Sequence, residues 1–370
     1  MIILLLFLLL GAVIVLSAGL LRRFGFSQLT YSLAFSQDEA TEGDTVYLTE
    51  TICSAKLLPL PWVKAELTTA AALQFASGHS SVSEDTRFVS SIFSLRPYRK
   101  IERRWKIICT QRGEFTVSHA VLILSDLFGS GELSQPYPDA CASIRVLPAV
   151  REISLPDALP EQMTGDAIRE RSLMPDRLAF CGIRPYADGD PIRDICWSAT
   201  ARMGSPMIRQ FHETISPSMT VLLNVMTRET DRGQISDRRL YESCIRVCAS
   251  VLHDAAVRGI PVRFCANTVI GEQAAETLPD TGADASLRLR RLLAALSCSV
   301  SGQFASLLRH VCLHDRASSL VVITALPDAE LLAAAAADPR LTVLSLRQLP
   351  HGSSFRNVLY VPPELREAAS

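Results

Sequence analysis

Residues 219–225 read Met219-Thr220-Val221-Leu222-Leu223-Asn224-Val225, a short run that stays apolar almost throughout. A strand with one wet face alternates apolar and polar residues. One that is apolar on both sides is covered on both faces, as in a parallel sheet. The residues that follow fit that design. Leu240, Cys244, Cys248, Val251 and Ala255 recur at helical spacing, with Ser236 as N-cap and Gly259 and Pro261 as the stop. Residues 261–266 read as a second strand. Leu289, Leu292, Leu293 and Leu296 mark a second helical stripe, and Phe304, Leu307, Leu308 and Val311 a third. Residues 320–325 form a further buried strand, 328–337 an alanine-rich helix, and 341–346 and 357–361 the last strands. Strands alternating with helices predict an α/β domain with a mainly parallel, Rossmann-like sheet over residues 217–365.

Residues 27–148 have a period near two. Trp105, Ile107 and Cys109 point one way while Arg104 and Lys106 point the other, and Val46, Leu48 and Ile52 alternate with Tyr47, Thr49 and Thr51. Turn residues recur between such runs, as at Glu42-Gly43-Asp44 and Arg112-Gly113, and no helical stretch intervenes. The pattern predicts an Ig-like antiparallel β-sandwich.

Residues 149–216, between these regions, are richer in proline, arginine and aspartate and only weakly periodic, so an irregular segment is expected. It holds the densest group of unusual residues: Gly182, Arg184, Tyr186, Gly189, Asp190, Arg193 and Trp197, followed by Arg202. Guanidinium groups bind carboxylates through a planar two-pronged fork, so Arg184, Asp190, Arg193 and Arg202 are expected to form a local ion-pair network, with Tyr186 and Trp197 stacked on its planes. Such a network either braces the segment onto the following domain or presents a surface to a protein partner.

Residues 1–21 carry no charged side chain, and Arg22 and Arg23 follow at once. As a helix this run spans roughly 31 Å, enough for the hydrocarbon core of a bilayer. It predicts a single transmembrane anchor over residues 1–22, and the flanking arginines put the remainder in the cytoplasm, with the protein at the cell membrane. Ten cysteines without a CxxC pair fit a reducing compartment. The net charge of −1 provides no field for nucleic acid.

No nucleotide-binding GxxxxGK[ST] or GxGxxG motif occurs, and none of the seven histidines adjoins a Ser or Cys nucleophile motif. His310, Cys312 and His314 stand two apart, and residues two apart on a helix do not share a face, so they are not expected to converge on a metal. No catalytic residue and no cofactor are expected. The alternative is a membrane-bound hydrolase or transferase with a site in residues 181–202, around Cys181, Asp188 and Asp190, since carboxylates beside a glycine turn can act as acid and base.

The string G-x-R-x-Y-x-x-G-D-x-x-R-x-I-x-W over residues 182–197, then Ala201-Arg202, resembles the signature of the domain-of-unknown-function 58 family. Residues 56–62 (KLLPLPW), Arg112-Gly113-Glu114-Phe115 and Ser125-Asp126-Leu127-Phe128-Gly129 resemble further elements of that family. The resemblance implies N-terminal membrane segments, a C-terminal domain like a von Willebrand factor A domain, and pairing with a MoxR-type AAA+ ATPase in the assembly or maturation of protein complexes. It also implies a place for a metal-ion-dependent adhesion site, D-x-S-x-S after the first strand. Asn224, Met226 and Arg228 occupy those positions here, and a thioether and a guanidinium are poor ligands for magnesium. The expectation is therefore a degenerate site without metal, in a membrane-anchored scaffold that docks a protein.

Overall fold

The computed structural model describes residues 2–76, 79–83, 85–125, 131–151, 180–187, 190, 192–211, 218–281, 284–315, 318–349 and 357–363. The chain divides into two compact units. The first comprises Met1–Ala149 with Arg290–Ala295, and the second most of the remainder.

The first unit begins with helix α1 (Ile2–Phe24). The strands that follow are β1 (Leu29–Phe35), β2 (Glu39–Thr41), β3 (Thr45–Ser54), β4 (Leu60–Ala70), β5 (Leu73–Phe75) and β6 (His79–Ser83). Next come β7 (Thr86–Leu95), β8 (Lys100–Cys109), β9 (Gly113–Ser125), β10 (Glu132–Tyr137) and β11 (Ala142–Leu147). One sheet has the order β1-β3-β8-β5, and the other runs β2-β11-β9-β4-β7-β6, with β10 paired to β9. Both contribute to one core. Leu48, Ile52, Trp105 and Ile107 meet Val63, Leu67, Phe93, Leu122 and Leu124 in a single apolar cluster.

Two glycines are required by close approach. A side chain on Gly25 would collide with the carbonyl oxygen of Leu21, so the chain can leave α1 only through glycine. Gly113 has φ +143°, and the Phe115 ring lies 3.1 Å from where its Cβ would stand.

The inward register of β3 also carries Glu50, which is wholly buried. Glu50 Oε1 accepts from Tyr31 Oη at 2.6 Å and from Ser91 Oγ at 2.7 Å, and Oε2 accepts from Trp105 Nε1 at 2.9 Å. Tyr31, Glu50 and Trp105 belong to the first sheet and Ser91 to the second, so one carboxylate ties the two together. Burial, then the charge of Glu50, pushes the Tyr31 phenol well above its usual range.

In the second unit, β12 (Phe180–Pro185) pairs antiparallel with β13 (Met207–Phe211), and helix α2 (Trp197–Met203) lies between them in sequence. The largest sheet holds β14 (Met219–Asn224), β15 (Val262–Ile270), β16 (Gln273–Glu276), β17 (Ser319–Thr324), β18 (Leu341–Ser345) and β19 (Val358–Tyr360). Its order is β16-β15-β14-β17-β18-β19, with only the β15–β16 pair antiparallel. This unit's helices are α3 (Arg238–Val257), the first part of α4 (Ala285–Ala295), α5 (Phe304–His314) and α6 (Ala329–Ala337), while Arg290–Ala295 of α4 belongs to the first unit. All six residues of β14 are buried.

These observations correct several expectations. The α1 backbone is helical, but the side chains of residues 2–7, 10, 12 and 13 lie outside those described. Among the described residues no helix is long and apolar enough to cross a membrane, so the single-pass anchor at 1–22 and the membrane localisation are withdrawn. The end of α1 instead packs onto protein: Leu21 joins the core of the first unit, and Lys56 Nζ donates to the carbonyls of Phe24, at 2.7 Å, and Gly25. The expected fold class is overturned with the anchor. The chain is strand-rich, 43% strand against 26% helix, with its strands spread over four sheets. Nor is 149–216 simply irregular, because its described residues include an antiparallel strand pair and a helix. The N-cap of α3 is Asp237, which accepts from Leu240 N at 3.1 Å, one residue after the Ser236 expected there. Ser236 is drawn off by Asp231.

Replacing Glu50 with alanine would leave three buried donors without an acceptor. Urea denaturation should show a loss of about 3–5 kcal/mol, with Glu50→Gln losing less because one carbonyl oxygen remains.

Candidate functional site

The motif region is built on the β12–β13 pair, where Arg184 faces Ile208 and Pro185 faces Met207 in register. After Pro185 the chain turns back: Tyr186 N donates to Pro206 O at 2.9 Å, and Asp190 N to Ala187 O at 3.1 Å. The turn brings Asp190 back to the strand it left. Arg184 Nη1 lies 2.6 Å from Asp190 Oδ2 and Nη2 lies 2.7 Å from Oδ1, the two-pronged fork expected of this pair. Ala187 N adds a third donor to Asp190 Oδ2, at 2.9 Å. The spacing R-x-Y-x-x-G-D thus closes seven residues on a charge-assisted clasp. The Arg184 fork, then the Ala187 amide, holds the Asp190 carboxyl below its usual range, and the same fork raises the Arg184 guanidinium.

A 3₁₀ turn at Ile192–Asp194 leads to Cys196, whose amide donates to Met207 O at 2.8 Å. Helix α2 follows and ends at Gly204, whose φ of +70° is the left-handed stop that glycine adopts without strain. Met207 N donates to Thr200 Oγ1 at 3.0 Å, tying α2 to β13. Cys196 is buried, with Sγ 3.5 Å from Ser198 Oγ. The hydrogen bond from Ser198, then those from the Ala199 amide and Arg209, pull its thiol down to about 7. Burial pushes Cys109 and Cys265 the other way, to about 11.

The expected four-member ion network is therefore reduced. Among the described residues the only ion pair within the motif joins Arg184 to Asp190, while Arg193 and Arg202 are exposed. No guanidinium lies over Tyr186 or Trp197 among the described residues. Trp197 is 70% exposed, Ile192 71% and Met203 67%, so the segment turns large apolar side chains to solvent. A Cβ on Gly182 would meet nothing within 4 Å, so packing does not demand glycine there. Gly189 and Asp188 lie outside the described residues, as do the side chain of Cys181 and residues 126–129 of the resembling Ser125–Gly129 stretch. Asp190, the remaining carboxylate of the alternative hydrolytic site, is committed to Arg184 and the Ala187 amide.

The carboxyl end of β14 holds a second polar cluster. Asn224 Oδ1 accepts from Met226 N at 3.1 Å and from Asn267 Nδ2 at 3.2 Å, and Asn224 Nδ2 donates to Thr324 Oγ1 at 3.2 Å. The Asn224 side-chain oxygen is thus held by the loop that follows it and by Asn267. Met226 and Arg228 serve that loop as backbone donors, Arg228 N to Asp231 Oδ2 at 3.0 Å.

Asp231, which no sequence motif singled out, organises the loop. It is buried. Its Oδ2 also accepts from Thr227 N at 2.8 Å and Thr227 Oγ1 at 2.7 Å, and its Oδ1 from Ser236 N at 3.2 Å and from the Ser236 hydroxyl. Burial alone would raise this carboxyl. The Ser236 and Thr227 hydroxyls, then the Thr227 and Arg228 amides, outweigh it and hold the group at about 2. The legible signal was a spacing of short hydroxyl and carboxyl residues, Thr227, Asp231 and Ser236, between a buried strand and a helix.

Residues 182–346 match the family model described as "Protein of unknown function DUF58", a span that takes in both the Arg184–Asp190 clasp and most of the parallel sheet. The match supports the resemblance carried by the motif. No curated protein matches the chain significantly. Among solved structures the chain is similar to the CARDB domain of the PF1109 protein from Pyrococcus furiosus, at 11% identity and TM-score 0.22, covering 33% of this chain and 96% of that one. It is similar to the cohesin module of a family 33 glycoside hydrolase from Clostridium perfringens, at 8% identity and TM-score 0.24, covering 33% and 97%. It is also similar to E. coli alpha-2-macroglobulin, at 18% identity and TM-score 0.24, covering 34% of this chain but only 7% of that one.

Two measurements check the site chemistry. A carboxyl lowered from 3.8 to about 2 on folding contributes stability that is complete above pH 4 and is lost as pH falls through 2. Urea midpoints across that window should fall in the parent and fall less in Asp231→Asn, by a difference of roughly 2 kcal/mol. A Cys196 thiol at about 7 should give the folded protein a rise in thiolate ultraviolet absorbance with a midpoint near pH 7, a phase that Cys196→Ser removes.

Proposed function

We propose that this chain is a non-catalytic interaction protein that docks a protein partner through residues 192–203. The carrying observation is the exposure of Trp197 and Ile192 on a segment that the half-buried Arg184–Asp190 clasp holds in shape. Tryptophan and arginine dominate the energetics of protein interfaces, and Arg193 and Arg202 stand exposed beside Trp197. Pre-ordering the loop through Arg184–Asp190 lowers the entropy lost when a partner binds. The resemblance to the domain-of-unknown-function 58 family suggests a MoxR-type AAA+ ATPase as that partner, acting in assembly or maturation of complexes. The likeness of the C-terminal region to a von Willebrand factor A domain belongs to the same reading. It is supported by the parallel pairing of β14 with β15 and β17, and by the position of Asn224 where β14 ends.

The test pairs the purified full chain with the MoxR-type ATPase of the same organism, with and without ATP, and reads affinity by biolayer interferometry. Trp197→Ala should weaken binding by about tenfold or more while the melting temperature stays unchanged. Equal affinity in parent and variant, or no binding by the parent, would rule this reading out.

A further inference from the structure

The end of α5 carries His310 and His314, both exposed and four residues apart. Considered with Cys312 between them, these residues fall on different faces. Considered as a pair, they are one helical turn apart and therefore neighbours. The structure brings their rings together, with centroids 4.2 Å apart and planes 32° from parallel. His314 Nδ1 lies 2.8 Å from His310 O.

That short contact fixes which ring nitrogen carries hydrogen. A carbonyl oxygen can only accept, so Nδ1 of His314 carries the proton. In the neutral ring Nε2 is then left with its lone pair. This is how metal-binding histidines are prepared: a backbone carbonyl or carboxylate holds one ring nitrogen and orients the other. Zinc binds imidazole nitrogen at about 2.0–2.1 Å, so two nitrogens can share one ion when they lie within about 4.2 Å of each other. The ring centroids lie at that separation, and the side chains would rotate to turn both Nε2 lone pairs toward one ion. The neighbouring cation, Arg309, is drawn aside toward Glu330, 3.4 Å away on α6. Asp315, just beyond the helix, is occupied by Thr220 Oγ1 at 2.5 Å and Ser318 N at 3.2 Å. Among the described residues no group of three or more His, Cys, Asp or Glu side chains forms here.

We propose that His310 and His314 form a two-imidazole surface chelate for a borderline transition-metal dication of the zinc class, with the remaining coordination positions open to water or a solution ligand. Neutral imidazoles select such ions over magnesium or calcium, which demand oxygen. Binding would also clip the last turn of α5, where helices fray. The site is separate from residues 192–203, and its outcome does not depend on the docking reading.

The experiment titrates ZnCl₂ into the full chain in metal-free buffer at slightly alkaline pH. Calorimetry and imidazole ¹⁵N NMR are followed for the parent, His310→Asn and His314→Asn. Because both residues are exposed, either variant should melt like the parent. The expected result is that the Nε2 signals of both rings move at the same zinc concentration. Either substitution should then weaken that uptake about tenfold or more, since the second nitrogen binds at high effective concentration. MgCl₂ should move neither signal. The proposal is overturned if one ring responds normally after the other is replaced, or if neither Nε2 signal moves with zinc.

Discussion

Carboxylates taken out of water must be surrounded by donors, and much of this structure depends on meeting that constraint. Glu50 meets it with a phenol, a hydroxyl and an indole drawn from two sheets. Glu42 meets it with the amides of Arg112, at 2.9 Å, and Ala149, at 3.2 Å, which fastens the turn before β3 to the end of the first unit. Asp231 does so with five donors from one loop. An apolar core is tolerant of sliding, whereas a buried charge is not, because a lost donor leaves its desolvation uncompensated.

The motif in residues 182–202 obeys the same rule nearer the surface. Asp190 has three protein donors, and the price of its order is that it has little freedom to act as an acid or base. Arg193, Trp197 and Arg202 share the motif with Arg184 and Asp190, yet they point outward where the other two lock together. A single sequence signature therefore contains a brace and an exposed surface.

The alternation of Trp105, Ile107 and Cys109 was legible because a strand has only two faces. The same alternation placed Glu50 inward with Leu48 and Ile52, although a hydrophobic pattern passes over an acidic residue. The stop at Gly259 and the helical stripe through Cys244, Cys248 and Val251 were legible for a similar local reason. The Arg184–Asp190 pair was legible as complementary chemistry, but its restriction to two partners was not. His310 and His314 were passed over because Cys312 drew attention to a spacing of two. Apolarity alone made the first residues resemble an anchor, whereas the packing of Leu21 and the Lys56 contacts arise from strands distant in sequence.

By itself the sequence determined several strands and helices, such as β14, α3 and β17, since period and glycine stops act between residues a few positions apart. It also determined that a thioether and a guanidinium stand at Met226 and Arg228, just past the first strand of the parallel sheet, which is a matter of residue identity. Only the tertiary structure decided which carboxylates are saturated, which arginines are paired, and that Trp197 faces water. Those outcomes depend on donors and neighbours supplied from elsewhere in the chain, and no local pattern encodes the distance at which they arrive.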